Sequence, residues 1–348
     1  KLRLLLLIGV ISISCGHHDV NLTTSENPLI VGKTEKLEGS LCPTDLQTID
    51  SLIIISEYGD SYFFHIYNKN SLKLIGKFGR EGRGPFEYHI PRMMTQSIKI
   101  RDSVFLLVYD DTRKRIDFIN ILEAINKTNY YPKSISFKNK KIAESEIINS
   151  AVMTVDSFIV GNANINGINT EKEGRFFCYD IYNDNMTWEP FYPIPKIEPS
   201  ERAKGDLYTS RLALRPNGID IAATSLFFKR IDILDRKGKL KRSIIFNQNK
   251  DPDFSNADSW PPKGSHEYFT SISVSQDYVY ALDIDLDVDN REIIDTVSLI
   301  KASWEDIDAT PEIFKMTPRV LKIAVDEENK KVYGIQMFSS NIYIYDIK

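Results

Sequence analysis

Six times along the chain the same pair of short segments recurs, and this recurrence limits the available folds more than any other feature. The second member of each pair is the easier to see: Tyr62–Asn68, Arg115–Asn120, Arg175–Asp180, Arg230–Asp235, Val297–Lys301 and Asn341–Asp346. A first member precedes each of them: Ser51–Ser56, Ser103–Tyr109, Asp156–Asn162, Gly218–Thr224, Asp277–Asp283 and Lys331–Gln336. Both alternate apolar and polar residues with the period of a strand. Turns such as Asn68-Lys69-Asn70 and Asp235-Arg236-Lys237-Gly238 close hairpins between them, because Asn, Asp and Gly accept left-handed backbone. A repeat of roughly 45 to 65 residues is the size of a propeller blade rather than of a solenoid turn.

Short hairpin strands must hide their edges, and closing six of them radially does so. The last repeat ends at Ile347-Lys348, directly after its third strand. Thr34–Leu41 is expected to supply the fourth. The chain is therefore read as all-β, a six-bladed β-propeller over 37–348 whose ring is closed by an N-terminal strand joining the last blade. In this reading the first member of each pair is the inner strand of its blade. Residues 122–150, which include a helical turn at Glu123–Lys127, and residues 192–212 and 247–266 are read as connections. The 11% aromatic content suits strands, and a net charge of -4 with no polybasic run argues against nucleic acid as a partner.

The first residues carry an export pattern. Lys1 and Arg3 precede an apolar stretch, Leu4–Ile13, that is too short to span a bilayer and reads as the core of a signal peptide, residues 1–14. It ends in Ser12-Ile13-Ser14-Cys15-Gly16, which resembles a lipobox, with Ser12 where Leu is usual. The resemblance implies a diacylglycerol on the Cys15 thiol, and residues 15–36 are expected to form a lipidated, flexible tether. Gly16 gives no reason for retention at the inner membrane. An outer-membrane lipoprotein is expected, periplasmic or surface-exposed, touching the membrane only through its anchor. With Cys15 lipidated, Cys42 and Cys178 remain, and the sequence leaves open whether they pair.

Residues 75–88 read Ile-Gly-Lys-Phe-Gly-Arg-Glu-Gly-Arg-Gly-Pro-Phe-Glu-Tyr. This resembles the Gly-x-Gly-Pro-Gly-Glu-Phe loop of the six-bladed, TolB-like propeller lipoproteins of Gram-negative bacteria, with Phe86 in place of a Gly and Tyr88 in place of the final Phe. The resemblance implies a propeller in the cell envelope and no particular activity. The spacing Gly79-x-x-Gly82-x-Gly84-Pro85 matches neither nucleotide fingerprint, so the loop reads first as a turn. Arg80, Glu81 and Arg83 are candidates to project towards the channel mouth and meet an anionic or polyhydroxyl ligand.

Further candidates come from strand ends. Tyr109 and Asp110, Asn162 and Asn164, and Asp283 occupy equivalent places in repeats two, three and five, and are candidates for one polar rim. Asp283, Asp285 and Asp287 alternate with apolar residues, which would place them on one strand face, a weak metal candidate; Val288 and Ile294 stand where a calcium loop needs Gly and Glu. His65, His89 and His266 show no zinc spacing, and no nucleophile elbow appears. No catalytic residue is assigned and no cofactor is expected. The expected function is a monomeric, non-enzymatic binding or scaffold propeller for a protein, peptide or glycan on one face of the ring. The alternative is a propeller hydrolase or lyase acting on a sugar or lactone, with a metal at the central channel.

Overall fold

A computed structural model describes residues 17–20, 28–137, 147–164, 174–189, 207–246 and 261–347, apart from 85, 102, 128, 129, 262, 291, 293, 307 and 308. It is a six-bladed β-propeller. Blade 1 is Pro43–Ile49, Leu52–Glu57, Tyr62–Asn68 and Leu74–Glu81, and blade 2 is Pro91–Ile100, Ser103–Asp110, Arg115–Asn120 and Lys133–Ser136. Blade 3 is Ile147–Met153, Phe158–Asn164, Phe176–Asp180 and Asn185–Glu189; blade 4 is Ser210–Leu214, Ile221–Ser225, Arg230–Leu234 and Leu240–Phe246. Blade 5 is His266–Val274, Tyr278–Asp287, Val297–Ser303 and Glu312–Thr317. Blade 6 takes only three strands from its own stretch of chain, Lys322–Asp326, Lys331–Ile335 and Asn341–Asp346.

The fourth strand of blade 6 comes from the N-terminal part of the chain, as the missing strand implied. It is Lys33–Lys36, antiparallel to Asn341–Asp346, with Thr34 opposite Tyr343 and Lys36 opposite Asn341. The expected strand, Thr34–Leu41, overruns this because Glu57 bends the chain into blade 1. Its carboxylate accepts from Ser40 Oγ and from the amides of Leu41 and Cys42, at 3.2 and 2.9 Å for the amides. Leu37 is buried between blades 6 and 1.

Within the segment read as a tether, His17–Val20, Ile30–Val31 and Lys33–Lys36 are strands. His17–Val20 pairs in parallel with Leu240–Phe246 on the outer edge of blade 4, and Ile30–Val31 pairs in parallel with Glu312–Thr317 on blade 5. Unpaired groups on an outer blade edge are a template for any strand that reaches them, and the N-terminal segment takes that place on two consecutive blades before closing the third. Gly32 passes directly over the Tyr345 ring, where a Cβ would lie 2.6 Å from a ring carbon.

Among the described residues six apolar clusters lie one between each pair of neighbouring blades, and a seventh, smaller one gathers Leu207, Tyr208, Phe227, Phe228 and Val288. Alternation directs the residues: in blade 1, Ile53 and Ile55 face blade 6 while Ile54 faces blade 2, and in blade 2, Leu106 and Val108 face blade 1 while Leu107 and Tyr109 face blade 3. Second and third strands are therefore covered on both sides, and this produces the repeating apolar runs.

These runs are not the inner strands. The innermost strand of every blade precedes them: Pro43–Ile49, Pro91–Ile100, Ile147–Met153, Ser210–Leu214, His266–Val274 and Lys322–Asp326. Several therefore lie partly within the stretches read as connections. Their free edges meet across blades through side chains. Ser271 and Ser273 accept the Ile323 and Val325 amides, each at 3.1 Å; Ser150 accepts the Leu212 amide at 3.0 Å; and Gln96 bonds both the amide and the carbonyl of Met153. Each satisfies a backbone group that has no ladder partner on that side.

The interface of blades 3 and 4 has a buried ionic centre. Arg175 of blade 3 and Arg230 of blade 4 both bind the buried Asp232 carboxylate, which also accepts from Ser243 Oγ, while Arg175 donates to Ser210 and Ser225. The one helix among the described residues, Ile121–Asn126, is a short insertion in blade 2, capped by Asn120 and placed slightly before the expected turn. No described helix is long and apolar enough to cross a membrane.

Candidate ligand-binding channel

The six inner strands enclose a central channel of about 1010 Å³. It extends from their first residues (Thr44, Asp45, Pro91, Arg92) to their last (Lys99, Val274), and Ser and Thr recur along its wall. Thr95 of blade 2 donates its hydroxyl across to the Leu212 carbonyl of blade 4. That volume is at the upper end of the range for small-ligand sites, about 300–1,000 Å³.

The wall is electrostatically one-sided. Although the whole chain is net negative, the described lining residues include Arg92, Lys99, Arg211, Arg215 and Lys322 and a single carboxylate, Asp45. Towards the far end the cations have acidic partners outside the channel: Lys99 lies 3.9 Å from Asp50, and Arg215 is held by Asp220 and Glu305. Near the end where the strands begin, Asp45 has Arg92, Arg211 and Lys322 around it. Burial lowers the pKa of Arg211, with Asp45 pulling against it and Arg92 adding to the fall. Lys322 falls to about 8 through burial first and then the Arg211 charge, with Asp45 opposing and Arg92 contributing. Its Nζ donates to the Thr270 carbonyl at 3.0 Å. Arg92 Nε and Gln47 Oε1 are buried without hydrogen-bond partners, one donor and one acceptor, both on channel-lining residues.

The residues anticipated from the sequence are spread over the ring. Arg80, Glu81 and Arg83 are exposed at the outer end of blade 1, on its last strand and the loop after it, rather than at the channel mouth. Arg80 stacks on Tyr62 at 5.7 Å. The loop itself is built as a turn: Gly79 has φ 72° and Gly82 φ 150°, and a Cβ on Gly82 would lie 2.2 Å from the Glu87 carboxylate. Glu87 accepts the Gly84 amide at 2.6 Å, and Arg113 gathers the carbonyls of Arg83 and Gly84 at 2.9 and 2.8 Å.

Tyr109 sits opposite Arg92 in the blade 2 ladder and contributes to the channel wall, bonding Asp111 at 3.1 Å. Asp110 is buried, pairs with Arg113 at 3.1 Å and caps the following turn. Asn162 joins blades 3 and 4 by donating to the Arg175 carbonyl and accepting the Ser210 amide. Asn164 ends its strand; its side chain is outside the described residues, as is Cys15.

Asp283 is buried against Lys229 at 2.8 Å, and burial raises its pKa despite that cation. Asp285 adopts φ 39° where the ladder shifts register, yet the three carboxylates stay linked: Asp283 and Asp285 share Lys229, at 2.8 and 3.7 Å, and Asp285 and Asp287 share His266, at 3.2 and 3.9 Å. Among the described residues no three His, Cys, Asp or Glu gather as a metal requires. Cys42 and Cys178 are both free thiols, and burial in blade 3 pushes Cys178 up to about 11.

Fold and channel together define the class: a closed six-bladed propeller with a polar, cation-lined axial channel. No protein-family model matches the sequence, and no curated protein matches it. Solved structures do share the fold. A Bacteroides fragilis protein named for its expected export has a TM-score of 0.58 at 12% identity, over 95% of this chain and 98% of that one. A member of the DUF4221 family from Bacteroides vulgatus has a TM-score of 0.61 at 13% identity, over 92% and 97%. The Cps50 β-propeller domain of Myceliophteria thermophila has a TM-score of 0.54 at 10% identity, over 91% and 100%. At such identities the likeness is one of fold.

Proposed function

We propose that the chain is a lipid-anchored envelope propeller that binds rather than transforms its ligand. A peptide, protein terminus or glycan enters the axial channel from the end where the inner strands begin. The observation that carries this reading is the channel itself, walled by several cations and by buried polar atoms without partners. The lipobox-like Ser12-Ile13-Ser14-Cys15 and the export-related name of one structural neighbour support an envelope location, and the glycine loop supports kinship with TolB-like lipoproteins.

Binding is tested with the full chain on arrays of peptides and glycans, beside Thr95→Trp, which fills the channel, and the paired loop change Arg80→Ala with Arg83→Ala. A signal lost in Thr95→Trp and kept in the loop variant is expected, with both variants melting as the parent does. Loss in the loop variant alone would move the site to the outer edge of blade 1.

A further inference from the structure

We infer that the channel takes a small polyhydroxylated anion, a sugar acid or a sugar phosphate, with its acidic group on Arg92, Arg211 and Lys322 and its hydroxyls on Asp45 and Gln47. This inference rests on the reading of the channel as the ligand site.

Three observations bring it about. First, an acidic protein concentrates positive charge on its axis, and among the described lining residues Asp45 is the single carboxylate beside Arg92, Arg211 and Lys322. Like charges held together away from bulk water are costly, and an anion between them relieves that cost with charge-assisted hydrogen bonds. Second, Arg92 Nε is a buried donor without an acceptor on a residue that lines the channel. Third, Gln47 Oε1 is a buried acceptor without a donor, two residues along the same strand from Asp45 and hence on the same side of it. Two acceptors beside a cation cluster suit a ligand whose acidic group is attached to a carbon skeleton bearing hydroxyls; a bare ion would leave them unused. Other charged clusters among the described residues have their own partners, such as Asp232 with two arginines, Asp283 with Lys229, and Asp60 with His65 and Lys77.

The test is calorimetric titration of the full chain at pH 7 with four probes: glucuronate, a glucose phosphate, glucose and sulfate. Glucuronate or the phosphate is expected to bind, and to bind at least about tenfold more tightly than glucose or sulfate, since each hydrogen bond to a charged group is worth that much or more. Which of the two binds better distinguishes a carboxylate from a phosphate ligand. Arg92→Gln and Lys322→Met should each weaken binding about tenfold to a hundredfold. Asp45→Asn, which leaves every cation in place, should instead tighten sulfate.

Raising the pH from 7 to 9 should weaken binding of the parent and leave Lys322→Met unchanged. Lys322, facing Arg211, Arg92, Asp45 and the Thr270 carbonyl, titrates near 8 and loses its proton over that interval. Glucose binding as tightly as glucuronate, yet weakened by Lys322→Met, would overturn the anionic class and leave the channel reading standing. Probe binding indifferent to Arg92→Gln, Lys322→Met and Asp45→Asn would overturn the channel reading itself. Sulfate equal to glucuronate would overturn the role given to Asp45 and Gln47, and no binding by any probe would overturn the inference as a whole.

Discussion

Asp232→Ala is expected to lower stability by about 3–5 kcal/mol, the penalty for leaving buried charge without its partner. The carboxylate is completely buried. It takes Arg230 Nε at 2.9 Å and Ser243 Oγ at 2.6 Å, together with a guanidinium nitrogen of Arg175 from the neighbouring blade. Removing it takes the neutralising carboxylate from two guanidinium groups at the interface of blades 3 and 4. Burial alone would raise the Asp232 pKa, but Arg230 and then Arg175 outweigh it and hold the group below its ordinary value. A carboxylate depressed in this way contributes stability above its unfolded pKa and loses it as the pH falls through the lower, folded value. Denaturant midpoints measured across acidic pH should therefore show a drop that the parent has and Asp232→Ala lacks. A loss below about 1 kcal/mol would mean that water, not Asp232, neutralises the pair.

Removing residues 1–36 is expected to be comparably damaging, whereas removing 1–27 should be much milder. The longer deletion takes away Lys33–Lys36 and exposes the edge of Asn341–Asp346, along with the packing around Tyr345. Each lost ladder bond is worth about 1 kcal/mol net, and an exposed apolar strand edge invites association between molecules. Size-exclusion chromatography and thermal melting of the two truncations provide the comparison. Equal behaviour of the two would contradict ring closure by this strand.

The blades were legible in the sequence because their second and third strands are covered on both sides. Runs such as Arg230–Leu234, every residue of it buried, repeat wherever two blades meet. The missing fourth strand of the last blade was legible for the same reason, since a ring cannot leave one edge open. Inner strands were not. Thr44-Asp45-Leu46-Gln47-Thr48 faces a polar channel, so its alternation is diluted by groups that in isolation mark a loop.

Misplacing the inner strands hid the site. Asp45, Arg92, Arg211 and Lys322 each fall within the first three residues of an inner strand in four different blades, a coincidence visible only once those strands are aligned. The serines at 150, 271 and 273, further along their inner strands, accept amides of neighbouring blades and are polar for that reason. The glycine loop attracted attention for its residue types, yet Gly82 and Gly84 are set by the close approach of Glu87 and Gly79 by Phe64, and its charged side chains stand at the outer edge of the ring. In the Asp run at 283–287 one positive φ at Asp285 interrupts the two-residue period, and the carboxylates are joined through Lys229 and His266, neither of which the run itself reveals.

That the axial channel is a site for anions is tested most directly by crystals soaked in selenate, whose anomalous signal locates the ion whatever the natural ligand is. A peak bounded by Arg92, Arg211 and Lys322, absent from Lys322→Met crystals, is the expected result. An empty channel, with selenate only at Arg80 and Arg83 or on the outer blade edges, would contradict it.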